Sequence, residues 1–77
     1  MIKPLKPFAA IRIAAEIVQA GLRDAASGYQ MYTEATFNKA AEKVSKATTE
    51  QEVVDILCVP DFYTRDGVTR LLNKFNS

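Results

Sequence analysis

From Phe8 to Leu22 the chain reads FAAIRIAAEIVQAGL, a helical stretch with hardly any polar side. At about 100° per residue, Arg12, Glu16, Gln19 and Arg23 share a strip only about 60° wide. Nearly all the rest of the circumference is apolar. A surface helix needs one apolar stripe of roughly 100°, so this one requires neighbours on more than one side. Two seams can be traced along it. Ile11, Ala15, Val18 and Leu22 recur at spacings of four, three and four; Ile13, Ile17 and Ala20, with Ala9 and Ala10, lie roughly half a turn away. The alanines favour helix and let another backbone come close, and Gly21 marks a place for a tight helix crossing.

The other elements follow from stripes and breaks. Residues 1–7, MIKPLKP, read as an extended arm, because Pro4 and Pro7 drive their predecessors out of helical geometry. Ile2 and Leu5 can tuck that arm against the body, and Pro7 suits the first turn of the helix that follows. The first helix spans about 8–26, with Arg12 and Glu16 paired at four residues' separation. Ser27-Gly28 ends it, Gly28 being suited to a left-handed cap. A loop over 27–32 precedes a second helix at about 33–47, capped by Thr33 and carrying the stripe Phe37, Ala40, Ala41, Val44, Ala47. Thr49 followed by Glu52 is a capping box, which places a third helix over about 50–57 with Val53, Val54 and Leu57 inward. Pro60 stops it, and Phe62 and Tyr63 anchor the connection. Thr64 caps the last helix, about 65–75, where Val68, Leu71, Leu72 and Phe75 form a clean amphipathic stripe. The expectation is an all-α single domain over 1–77, a small bundle of four helices packed around the first.

Such a chain is short of core. A domain near 77 residues buries only about 60% of its unfolded surface. With one cysteine and no histidine, an internal disulfide and a zinc site of the usual kind are both excluded. That leaves self-association as the way to gain buried surface. The later helices offer single stripes, two of them short, so the second seam of the first helix, Ala9, Ile13, Ile17 and Ala20, is expected to pack against the same seam of a second copy in a two-fold dimer.

Chemistry is sparse. Without histidine, acid–base catalysis would fall on a perturbed carboxylate, lysine or tyrosine, and no carboxylate pair stands at a spacing that demands it. Cys58 sits among acids and apolar residues with no neighbouring base to activate it and reads as a buried structural residue. The three glycines are isolated, so there is no phosphate loop. The expectation is therefore a protein without catalytic residues, metal or cofactor.

Charge is nearly balanced at +1, but it is separated. Residues 50–66 carry a net −4 and the remainder +5, an arrangement able to steer a charged partner. The segment VVDILCVPDFYTRDGVTRLLNKF has a helix-turn-helix character, with Arg65, Thr69, Arg70, Asn73 and Lys74 on the would-be recognition helix. Its turn is too long, and the acidic helix before it would meet phosphate repulsively. Nucleic acid is thus not the expected partner.

The expected function is that of a small non-enzymatic binding or regulatory protein, an inhibitor or adaptor acting on another protein, in size and style like small phage accessory proteins. A helix-turn-helix regulator is the alternative, and a small-ligand sensor with a pocket between protomers is a third. Candidate partner-binding residues are Tyr29, Met31 and Tyr32, whose side chains offer large adaptable contacts, together with Arg65, Arg70 and Lys74. No stretch approaches the roughly 20 apolar residues of a membrane span. The charges and prolines near the N-terminus spoil a secretory signal, so a cytoplasmic location is expected.

Overall fold

The computed structural model describes residues 2–28 and 32–77. These form four helices: α1 (Ala9–Ser27), α2 (Glu34–Ser45), α3 (Glu50–Cys58) and α4 (Arg65–Phe75). Among the described residues there is no strand, only an isolated antiparallel bridge between Pro4 and Thr49. The fold is all-α. α1 packs along α2 and, more briefly, on α4, while α3 closes the bundle by touching α2 and α4.

Local chemistry accounts for the boundaries. Thr33, Thr49 and Thr64 each sit in extended geometry before a helix, and each hydroxyl accepts from the backbone N–H three residues on. Gly28 ends α1 at φ 78°, a conformation that costs glycine little. The Thr49 cap differs in one detail from a simple capping box. Glu52 reaches past Thr49 to the Thr48 N–H at 3.3 Å and the Thr48 hydroxyl at 2.7 Å. The Thr48 hydroxyl, then its N–H, hold the Glu52 carboxyl below its ordinary range. That contribution to stability is therefore complete above the ordinary glutamate range and is lost as pH falls through the lowered value.

Four expectations are corrected. α2 stops at Ser45 rather than near 47, with Ala47 buried just beyond it. Pro7 does not enter the first turn of α1. Instead the Ala9 N–H donates to the Lys6 carbonyl at 3.1 Å, and Phe8 takes φ 69°, ψ −6°. That is a type II turn with proline in its usual second place and phenylalanine where glycine normally sits. Glu16 pairs with Arg23 at 3.7 Å, not with Arg12. Cys58 is half-buried at the edge of the core rather than enclosed.

The core lies between α1 and the other three helices. Ile13 and Ile17 are entirely covered and meet Phe37, Ala41, Val44, Val53, Leu57 and Val68 in one cluster. Burying each isoleucine contributes roughly 1.5–3 kcal/mol. α1 and α2 come unusually close at Gly21, where a Cβ would lie 2.8 Å from both Cβ and Cγ of Phe37.

The N-terminal arm is stitched down rather than loose. The Leu5 N–H donates to the Thr48 carbonyl, and the Glu50 N–H to the Lys3 carbonyl, both at 2.9 Å. Asn76, only 1% exposed, completes the join. Its Oδ1 accepts from the Lys6 N–H at 2.6 Å, and its Nδ2 donates to the Pro4 carbonyl at 3.2 Å and to Glu50 Oε2 at 2.7 Å. Leu5 packs on the core while Ile2 stays exposed.

Two substitutions test this account. Asn76→Ala strands the Lys6 N–H and the Pro4 carbonyl, and should cost about 1–3 kcal/mol in urea denaturation. Gly21→Ala would gain helix propensity on an exposed helix; here overpacking against Phe37 should dominate, with a loss of about 1–3 kcal/mol in the same measurement.

Candidate interaction surfaces

Three surfaces have the character of docking sites. The first is a seam on α1. Phe8, Ile11 and Leu22 are 68%, 58% and 54% exposed. Ala15 is exposed between them, and Val18 is half-buried on the same line. The seam expected to face a second copy is the one that the chain itself covers. Ala9, Ile13 and Ile17, expected to meet a second copy, are buried inside their own chain, and Ala20 packs partly against the same core. The reason is geometric: Gly21 stands four residues after Ile17 on the same face, so the close approach of α2 selects that face.

Phe8 is the most unusual member of the exposed seam. A bulky residue in left-handed geometry is strained by roughly 1–2 kcal/mol, yet this ring gains little burial in return.

The second surface is the aromatic end of the bundle. Phe62, in the α3–α4 connection, makes edge contacts with Tyr32 and Phe37, each at 4.9 Å between ring centroids, and with Tyr63 at 5.0 Å. Such pairs add about 0.5–1.5 kcal/mol each beyond area burial. The Tyr32 hydroxyl donates to the Asp61 carbonyl at 3.3 Å. Tyr32 and Phe62 together separate two apolar grooves. One, of about 210 Å³, runs between α2 and the α3–α4 connection; the other, of about 320 Å³, is lined by Ala20, Asp24, Phe37 and Tyr63. Burial raises the Tyr63 phenol above its ordinary value, helped by Asp24 and Glu16 and opposed by Arg23. The ring is therefore neutral in the fold, and its contribution is lost only as pH climbs through the raised value.

The third surface is polar. Lys3, Arg65, Thr69 and Asn73 share a groove of about 290 Å³ with Glu50, and Lys3 stands 4.0 Å from that carboxylate. Arg70 and Lys74 are exposed on α4, Lys74 lying 5.1 Å above the Phe75 ring.

The expected partner-binding residues are therefore dispersed. Tyr32 belongs to the aromatic end and Arg65 to the polar groove, while Tyr29 and Met31 lie outside the described residues. The connection from α3 to α4 is six residues, Val59 to Thr64, longer than the three or four of a helix-turn-helix. Glu52 and Asp55 stand exposed on the helix that would cross the phosphates. No helix among the described residues is long and apolar enough to cross a membrane. No protein-family model, curated protein or solved structure matches the chain.

Phe8→Gly isolates the strain at the head of the seam. Relief of the left-handed geometry should leave the folded monomer as stable or about 1 kcal/mol more so, read from the urea midpoint at a concentration low enough to exclude association. A marked loss would mean that the ring itself supports the fold.

Proposed function

We propose that this chain is a non-enzymatic protein-binding protein of the inhibitor or adaptor kind, paired with a second copy of itself through α1. The observation that carries the reading is the exposed seam of Phe8, Ile11, Ala15, Val18 and Leu22. Within α1, Ile11, Ala15, Val18 and Leu22 recur at four, three and four residues, the repeat by which two helices seat side chains in each other's gaps, and Phe8 is exposed just ahead of the helix. Covering the exposed parts of Phe8, Ile11 and Leu22 would contribute about 1 kcal/mol each. Ala15, at the middle of the seam, permits close approach across a two-fold axis. Arg12, Gln19 and Arg23 border the seam and would widen the contact toward the roughly 800 Å² per partner of a standard interface. Dimerisation would leave the aromatic end of each copy open to a further partner, which suits an adaptor.

Light scattering on a sizing column, run across a concentration series, tests the pairing. The expected mass rises from the 8.5 kDa of one chain to twice that value. Ile11→Glu should return the lower mass at every concentration, with helix content and monomer stability changed by no more than about 0.5 kcal/mol. Ile17→Lys should instead unfold the protein, because it buries a charge in the core. A single-chain mass for the unaltered protein throughout would end the self-association reading.

A further inference from the structure

The groove of about 210 Å³ beside α2 has a floor of Tyr32, Ala40, Ile56, Pro60 and Phe62, and Lys39 and Lys43 line its α2 side. It shares no residue with the α1 seam. Lys39 and Lys43 are one helical turn apart, their Cβ atoms about 5–6 Å from each other, and both are exposed. Among the described residues neither forms an ion pair, whereas Lys46, just past the end of the helix, is matched to Glu42 at 3.6 Å. An apolar slot is thus bordered on its α2 side by two lysines that form no ion pair among the described residues.

We propose that this groove docks an acidic amphipathic segment of another protein, presenting one bulky apolar side chain to the slot and carboxylates to Lys39 and Lys43. The volume selects the occupant. It is smaller than the roughly 300–1,000 Å³ of pockets that enclose a small molecule, yet it has room for a single leucine or phenylalanine side chain. The edges of the Phe62 and Tyr32 rings offer an aromatic anchor its favoured contacts. The lysine stems add hydrocarbon along the wall while their ammonium groups stay in water. A helix laid in the groove would place acids one turn apart, the same interval as the two lysines. The apolar anchor supplies most of the affinity, and the exposed lysines decide which segment is accepted.

The test is a titration of isotopically labelled protein, followed by backbone amide shifts. The probe is a synthetic helical peptide with a central phenylalanine and, on the face beside it, two glutamates one turn apart. Saturable shifts are expected at Tyr32, Ala40, Ile56 and Phe62, weakening as salt is added. The double variant Lys39→Glu, Lys43→Glu changes only exposed side chains but removes the cation from the last turn of α2, so it should stay folded with a slightly lower melting temperature. It should bind the acidic peptide about tenfold more weakly and prefer the same peptide with lysines in place of glutamates. Repeating the titration on Ile11→Glu protein separates this groove from association through α1. The proposal is overturned if the unaltered protein shows no saturable shifts at these residues, or binds the lysine peptide as tightly. It is equally overturned if decanoate fills the groove and the acidic peptide does not, which would mark a small-ligand site.

Discussion

Because Gly21 has no Cβ, the backbone of α1 meets Phe37 at a separation that even a methyl group would prevent. The position of Phe37 then governs its end of the molecule. Phe62 packs edge-on against Phe37, and Tyr32 and Tyr63 pack against Phe62. The α3–α4 connection carries Phe62 and Tyr63, so its path over the bundle follows from the helix crossing. Both apolar grooves at this end have walls from the same rings. Packed interiors transmit displacement rather than absorb it, so the shape of the grooves is tied to one glycine on a different helix.

At another place in the bundle the organising group is polar. Asn76 places one amide among the arm, the start of α3 and the end of α4. A buried polar group is costly unless it is matched, and here both the donor and the acceptor side of the amide are used. The arm gains its backbone partners from a loop, not a sheet: Leu5 and Glu50 donate across the bridge, while Pro4, which has no N–H to offer, sits opposite Thr49.

Much of this was legible in the sequence because the responsible interactions are local. The three threonine caps, the glycine terminator and the amphipathic stripes each act over a few residues, so spacing alone reveals them. The choice between the seams of α1 is not local. Both are apolar and both are regular, and what decides is where α2 docks. The one sequence signal was Gly21, which shares a face with Ile17 rather than with Leu22. The surfaces were less legible still. Tyr32 was marked by its composition, but the groove beside it depends on Ile56 and Phe62 arriving from other elements. Asn76 carried no signal, since an asparagine after a helix ordinarily faces water.

The Asn76 join also imposes an order on events. It ties residues 4 and 6 to residue 76, a separation of about seventy positions, whereas α1 and α2 are neighbours in the chain. Closing so long a loop carries an entropic cost that local pairings avoid. During synthesis the α1–α2 pair can assemble while α4 is still being made. The bonds from residues 4 and 6 to Asn76 can form only once residue 76 has left the ribosome. The bond from Leu5 to the Thr48 carbonyl needs no later residue and can cover its edge of the core early, whereas the Asn76 join closes only after α4 is made.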